Sequence, residues 1–286
     1  MTAIVLDGVA VARDIYAQLK ERVAALGRLN VRPGLAAVQL GDNPASKIYL
    51  RNKVKACNAA GIHSELHPLA ADCQPSVLLA TLEKLNHNPR VHGILVQLPL
   101  PSHLHTALVA KAVAPEKDVD GLTWHNLGAL VAGHPLFEPC TPSGVITLLE
   151  RAGVVIEGRE AVVVGRSAIV GKPMALMLTS RGATVTVCHS KTMDLGRHTR
   201  RADILVAAAG RPRLITADMV KPGAAVIDVG INRVTGQGIT GDVDFAMVRE
   251  VAGWITPVPG GVGPMTVAMV IANTVQAAER AAGETT

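Results

Sequence analysis

Ala161-Val162-Val163-Val164-Gly165-Arg166-Ser167-Ala168-Ile169-Val170-Gly171-Lys172-Pro173 decides the fold. The apolar run reads as a buried strand, the glycines as a tight turn, and the residues beyond Gly171 as a helix ending near Gly182. Strand, glycine loop and helix in that order open a parallel α/β sheet. Close backbone approach and free amides at the helix start favour a phosphate there. The pattern is not GxGxxG, because no second glycine stands where that motif needs one and the spacing to Gly171 is one residue longer. Spacing alone therefore leaves a plain strand-to-helix turn open. The next strand, Thr184–Val187, leads to Cys188-His189-Ser190-Lys191-Thr192. An NAD site wants an acid about 20 residues past the loop, and none stands here. Arg166, Ser190 and Lys191 can together receive a 2′-phosphate, which favours NADP.

Working outward, short apolar runs alternate with amphipathic stretches along the whole chain. Strands are expected at Leu35–Leu40, Ile62–Leu66, Gly93–Val96, Ile204–Ala207 and Ala224–Val229. Helices are expected at Gly8–Leu26 (Asp7 as N-cap, Gly27 closing), Pro44–Ala60 ending at Gly61, Ser76–Leu85, and Met265–Ala282. Pro99–Pro142, rich in Gly, Pro and His, reads as a loop-rich passage holding a domain junction. The expected fold is α/β: two α/β domains with an interdomain cleft, the second Rossmann-like and NADP-binding, with ligands at the carboxyl ends of strands.

Composition narrows the function. The chain has 286 residues, 49% of them hydrophobic and 18% charged, enough for a substantial core and too apolar for disorder. Aromatic residues make up only 2%, too few for a binder that stacks bases. The net charge of +5 is spread out, with no stripe to track a nucleic-acid backbone. Cys57, Cys73, Cys140 and Cys188 form no CxxC pair, so neither a metal site nor a disulfide framework is expected. MTAIVLDGVAVARD lacks a basic segment followed by an apolar one, and the uncharged run Thr256–Ala278 is broken by Pro and Gly. Neither a signal peptide nor a membrane span is expected, and the cytoplasm is the expected location.

Three further segments carry chemistry. On a helix, Ser46, Tyr49 and Lys53 fall within an arc of roughly 60° and address one spot. A lysine in a closed, partly apolar site can work as acid or base near neutral pH, whereas a solvated one cannot. Gln97 ends the buried run Ile94-Leu95-Val96, between that strand and Leu98-Pro99-Leu100-Pro101. In Lys117-Asp118-Val119-Asp120-Gly121, two acids share a loop; as a pair they suit magnesium or plain surface charge, and a single carboxylate there can instead hold the donor edge of a heterocycle. Thr256-Pro257-Val258-Pro259-Gly260-Gly261-Val262-Gly263-Pro264-Met265-Thr266 makes sense both as a rigid ligand wall and as an interdomain elbow. Tyr-x-x-x-Lys also occurs in short-chain dehydrogenases, but their glycine loop precedes the Tyr and here it follows by about a hundred residues.

In this order, these segments resemble the bifunctional methylenetetrahydrofolate dehydrogenase/cyclohydrolase family over essentially the whole chain. Gly41-Asp42-Asn43-Pro44-Ala45-Ser46, Val96-Gln97-Leu98-Pro99, Asp118-Val119-Asp120-Gly121, Pro139-Cys140-Thr141-Pro142, Gly165-Arg166-Ser167, Asp228-Val229-Gly230-Ile231-Asn232 and Pro259–Thr266 carry the likeness. It implies a catalytic folate-binding domain of residues 1–139 plus 264–286 and an NADP-binding domain of 140–263. It implies oxidation of 5,10-methylenetetrahydrofolate with NADP+, then hydrolysis to 10-formyltetrahydrofolate. Lys53 would be the general acid/base, positioned by Gln97, with Tyr49 stacking near the pterin and Asp120 binding its ring. Leu98, Pro259, Gly260 and Gly261 would complete the folate site. Gly165, Arg166, Ser167, Ser190 and Ile231 would hold NADP, with no metal, and the assembly would be a homodimer. Leu122-Thr123-Trp124 and Asp194 depart from the family pattern; the acid is expected to weaken the preference for NADP. A monofunctional NAD(P)-dependent dehydrogenase and a non-catalytic NADP-binding protein remain as alternatives.

Overall fold

The structure, a computed structural model, describes residues 2–42, 53–236 and 238–283. They form two compact units, one of Met1–Ala12 with Thr141–Thr266 and one of Arg13–Cys140 with Val267–Thr286.

The first unit is built on a parallel sheet of β1 (Ile4–Val5), β5 (Glu160–Val164), β6 (Thr184–Cys188), β7 (Ile204–Ala207), β8 (Ala225–Asp228) and β11 (Trp254–Ile255). Their spatial order is β1-β11-β8-β7-β5-β6. β7 and β8 are buried along their whole length and read as unbroken apolar runs, as parallel strands covered on both faces must. Helix α7 (Gly171–Ser180) crosses from β5 to β6, and the chain then returns to the other side of β5 as β7. Strand order thus reverses at β5, and the crevice at the carboxyl ends of β5 and β7 is where such sheets take ligands. α6 (Cys140–Arg151), α8 (Leu195–Thr199), α9 (Phe245–Val248) and the hairpin of β9 (Asn232–Val234) with β10 (Gly238–Thr240) complete this part. Val162, Val164, Leu205, Ala207, Val226 and Ile255 form its core.

The boundaries expected from sequence place residues 1–12 with the other unit. Instead, β1 pairs in parallel with β11, Ile4 opposite Trp254 and Val5 opposite Ile255, and the Ala3 amide donates to the Arg249 carbonyl at 2.8 Å. Two residues of strand carry no readable alternation, so this pairing has no signature in the sequence.

The second unit centres on a parallel sheet of β2 (Gly34–Leu40), β3 (His63–Leu69) and β4 (Gly93–Val96), with β2 in the middle. β2 and β4 are wholly buried, and β3 is a polar edge. Around it are α1 (Gly8–Arg28), α2 (helical residues 53–59), α3 (Pro75–His87), α4 (Thr106–Ala112), α5 (Trp124–Val131) and α10 (Val262–Ala281). Asp7 caps α1, its Oδ1 accepting the amides of Val9 and Ala10 at 2.9 and 3.1 Å. The helix does not close at Gly27. It runs on to Arg28, and Asn30 at φ +57° turns the chain, with the Val31 amide donating back to the Leu26 carbonyl at 3.0 Å. The loop-rich passage Pro99–Pro142 carries α4 and α5, both short and rich enough in His, Gly and Asn flanks to hide their period. No helix among the described residues is long and apolar enough to cross a membrane.

Arg22 on α1 reaches Glu279 on α10, Nε donating to Oε1 at 2.8 Å, and the Glu279 side chain is 6% exposed. Arg22→Ala strands a buried carboxylate. With Arg22 itself half-exposed, we expect a loss of about 1–3 kcal/mol in urea unfolding; Glu279→Gln in the Arg22→Ala background should recover part of it.

Candidate functional site

In the second unit, Lys53 opens the described part of α2 and is only 8% exposed. Ser46 and Tyr49 lie outside the described residues. Gln97 continues β4, its amide donating to the Val38 carbonyl at 2.9 Å. Its Nε2 donates to the Leu98 carbonyl at 2.7 Å, and its Oε1 is buried with no hydrogen-bond partner among the described residues. Buried acceptors are nearly always satisfied, so this oxygen marks a place for a donor. Leu98 follows, half-buried.

The acid pair separates into two roles. Asp118 holds the turn: Oδ1 accepts the Leu122 amide at 3.1 Å, and Oδ2 accepts the Thr123 amide at 2.7 Å and Asn126 Nδ2 at 2.8 Å. Gly121 sits at φ +70°, and a Cβ on it would lie 2.7 Å from the Pro139 nitrogen, so only glycine lets the loop pass. Asp120 takes no part in that turn and shares a side-chain hydrogen bond with Cys140. Burial pushes its carboxyl up, the Lys53 charge pulls it back down, and Asp118 pushes it up again. Lys53 thus lies near enough for its charge to act on the Asp120 carboxyl. Next to them, the buried Cys140 thiol donates to the Val119 carbonyl at 3.1 Å, and Asn273 Nδ2 on α10 donates to the same oxygen at 2.9 Å. Burial, and then the Asp120 charge, raise the Cys140 thiol well above its usual range, so it stays protonated and unreactive.

The departure at Leu122-Thr123-Trp124 has a local reason. Thr123 Oγ1 accepts the Asn126 amide at 3.2 Å as the N-cap of α5, and the exposed Trp124 ring lies under Lys111 Nζ at 4.6 Å.

In the first unit, Gly165 has φ +138°, its amide donates to the Cys188 carbonyl at 2.8 Å, and a Cβ on it would overlap the Ala208 carbonyl oxygen. The amides at the start of α7 are not free, contrary to the expectation from sequence. Ser167 Oγ accepts those of Val170 and Gly171 at 3.2 and 3.3 Å, the Ser167 carbonyl accepts that of Lys172 at 3.0 Å, and Pro173 has none. A serine ahead of the first turn thus caps it. Arg166, Ser190 and Lys191 are exposed at the carboxyl ends of β5 and β6, with no acid among them. Asp194 does not simply oppose a phosphate: at φ +46° it caps α8, Oδ1 accepting the Arg197 amide at 3.1 Å. Ile231, 45% exposed, follows β8. Pro259 is exposed, Gly260 half-buried and Gly261 buried just ahead of α10; all three belong to this unit, whereas Lys53, Gln97, Leu98 and Asp120 belong to the other.

A nicotinamide dinucleotide fits the residues present: backbone bare of Cβ at Gly165, and the cationic and hydroxyl side chains of Arg166, Ser190 and Lys191 at the carboxyl ends of β5 and β6. Sequence reasoning missed the structural roles of Asp118, Asn126 and Asn273, and missed Asp242, which is buried beside Asp228. An Asn inside the apolar run of α10 was the one signal for Asn273; Asp242 had only its place between Gly241 and Val243.

Two family models match in chain order: the catalytic domain of tetrahydrofolate dehydrogenase/cyclohydrolase over residues 6–120 and its NAD(P)-binding domain over residues 139–282. The bifunctional protein FolD of Bordetella avium is 60% identical over 280 residues, 98% of this chain and 99% of its own length. That of Burkholderia multivorans is 57% identical over 282 residues, 99% of each. The crystal structure of the bifunctional FolD dehydrogenase/cyclohydrolase from Campylobacter jejuni superposes with a TM-score of 0.95 at 48% identity, covering 97% of this chain and 99% of that one. The FolD of Trypanosoma brucei, solved in complex with NADP cofactor and an inhibitor, gives 0.94 at 42% identity and 98% coverage of both. With both domains matched in order and relatives sharing more than half of its residues, the chain belongs to the tetrahydrofolate dehydrogenase/cyclohydrolase family.

Proposed function

We propose that the protein oxidises 5,10-methylenetetrahydrofolate to the 5,10-methenyl cation with NADP+ and hydrolyses that cation to 10-formyltetrahydrofolate. The observation that carries this reading is a nearly buried Lys53 within reach of the Asp120 charge, beside a Gln97 oxygen that lacks a donor. NADP+ supplies the hydride acceptor. Losing a hydride leaves a delocalised cation and requires no proton transfer, whereas hydrolysis does. Lys53 Nζ takes a proton from the water that adds to the methenyl carbon. As the carbon–N5 bond breaks, it gives that proton to N5 while the new hydroxyl loses its own, so one proton is released overall. Gln97 Oε1 accepts from the Lys53 ammonium and holds it in place; Asp120 accepts from the N–H edge of the pterin. Tyr49 stacks near the pterin, and Leu98, Pro259, Gly260 and Gly261 complete the folate site. Gly165, Arg166, Ser167, Ser190 and Ile231 hold NADP+, with Lys191 beside them.

The reading includes a homodimer working in the cytoplasm, with a folate as its small-molecule partner and no role for nucleic acid or membrane. Relatives called bifunctional at such identity do not favour a monofunctional dehydrogenase or a silent NADP binder. The test is to incubate the purified protein with methylenetetrahydrofolate and either NADP+ or NAD+, following reduced cofactor, methenyl and 10-formyl products separately. Appearance of all three supports the reading; reduced cofactor without formyl product contradicts the hydrolytic half. In the same assay, Arg166→Ala should raise the KM for NADP+ by about tenfold and leave that for NAD+ within about twofold, the loss of one charge-assisted contact to the 2′-phosphate.

A further inference from the structure

The acid pair Asp228 and Asp242 has no part in the reading above. Asp242 is fully buried. Its Oδ2 accepts the amides of Ala209 and Gly210 at 2.6 and 2.8 Å, and its Oδ1 accepts the Arg211 amide at 2.9 Å and Asn232 Nδ2 at 2.8 Å. Asp228 lies directly behind it: Oδ1 accepts the amides of Gly230 and Asp242, and Oδ2 accepts that of Val243, all at 2.9 Å. Burial pushes the Asp228 carboxyl up to about 6, against the pull of those amides. The two carboxylates come this close to backbone because Gly230 and Gly241 carry no Cβ; one at Gly230 would overlap Asp242 Oδ1, and one at Gly241 would overlap Asp228 Oδ2.

Ala209–Arg211 follow β7, and Gly230–Asn232 follow β8. These are the loops at the carboxyl ends of two neighbouring strands, on the edge of the sheet that holds Gly165 and Ile231, and a Cβ at Gly165 would overlap the carbonyl of Ala208, at the start of the first loop. Backbone bonds tie Arg213 and Ile215, further along the first loop, to Gly241 and Asp242, and the Val229 amide donates to the Ala207 carbonyl at 2.8 Å, whereas the turn Ala209–Arg211 itself is held to the residues after β8 through the Asp242 carboxylate.

We propose that Asp242, held by Asp228, is a positioning residue for the dinucleotide. It pins the loop after β7 to the loop after β8, so that Ile231 and the backbone beside Gly165 keep the surface the cofactor docks on. The proposal rests on the NADP reading. A carboxylate is required because donors converge on both of its oxygens. An amide in its place turns an NH2 toward one pair of donors and releases one loop.

The test uses the full chain and its two activities. Asp242→Asn should weaken NADP+ binding by about tenfold or more in titration calorimetry and raise the KM for NADP+ to match, with kcat at saturating NADP+ within about threefold of the wild type. Hydrolysis of methenyltetrahydrofolate supplied directly, which uses no nicotinamide, should stay within about twofold. A merely structural role would lower both activities together. Asn232→Ala, which cuts only the side-chain link, should move binding the same way by a smaller factor, and it decides the matter if Asp242→Asn does not fold. Unchanged NADP+ affinity in a folded variant, or equal loss of both activities, overturns the proposal. A wild-type chain that binds no NADP+ overturns the functional reading and this proposal with it, whereas a wild type that binds while the variants bind equally well overturns this proposal alone.

Discussion

Lys53→Met should abolish conversion of methenyl- to 10-formyltetrahydrofolate, lowering kcat for hydrolysis by about a hundred- to ten-thousandfold, the range for removing a general acid/base. Methionine matches the length of the lysine stem and tolerates burial, so at a position 8% exposed it should pack without a cavity. The loss is therefore one of proton transfer. A second consequence follows from the charge. The Lys53 charge pulls the Asp120 carboxyl down more than its hydrogen bond with Cys140 does, and without that charge burial and Asp118 drive the carboxyl higher. Folate affinity should begin to fall at a higher pH in the variant than in the wild type, because a protonated Asp120 no longer accepts from the pterin edge with both oxygens. NADP+ affinity should not change, since the residues proposed to hold it belong to the other compact unit. Rapid-quench product analysis with calorimetric NADP+ titration checks this, and undiminished hydrolysis would remove Lys53 from the role given to it.

Gly165→Ala should damage the other half of the chemistry. The residue sits at φ +138°, where side chains are strained, and the added Cβ would overlap the Ala208 carbonyl oxygen, which is backbone and cannot rotate away. Strain and overlap together should cost about 3 kcal/mol or more, a fall in Tm of roughly 6–12 °C for a unit of this size. If the loop shifts to relieve the clash, the cost moves into the cofactor surface, and the KM for NADP+ should rise by at least about tenfold. Differential scanning calorimetry with and without NADP+ separates the two. A variant with wild-type melting and wild-type KM would show that the close approach of Gly165 to Ala208 does not matter.

Parallel-sheet architecture was legible because buried strands write themselves as apolar runs: Gly93–Val96 and Ile204–Ala207 are strands at the residues expected, and Glu160–Val164 differs by one. β1, the β9–β10 hairpin and α8 were not, being two to five residues long and held by pairing or caps rather than by their own periodicity. The candidate site divides in the same way. Gln97 was readable as an amide ending a buried strand, and its unpartnered oxygen bears out nothing by itself but gives that placement a use. The division of labour between Asp118 and Asp120 was invisible, because two acids in one loop look alike until the amides of Leu122 and Thr123 are seen to claim one of them. Ser167 was read as part of a phosphate loop; that its hydroxyl also accepts the amides of Val170 and Gly171 was not legible, being set by backbone geometry three residues on.

The most direct measurement is a crystal structure of the protein with NADP+ and a non-reacting folate analogue bound together. The account predicts Lys53 Nζ about 2.6–3.2 Å from the one-carbon position of the folate or from a water on it, with Gln97 Oε1 accepting from that nitrogen and the Asp120 carboxylate on the pterin edge. A lysine nitrogen turned into bulk solvent, with another group occupying that place, would contradict it.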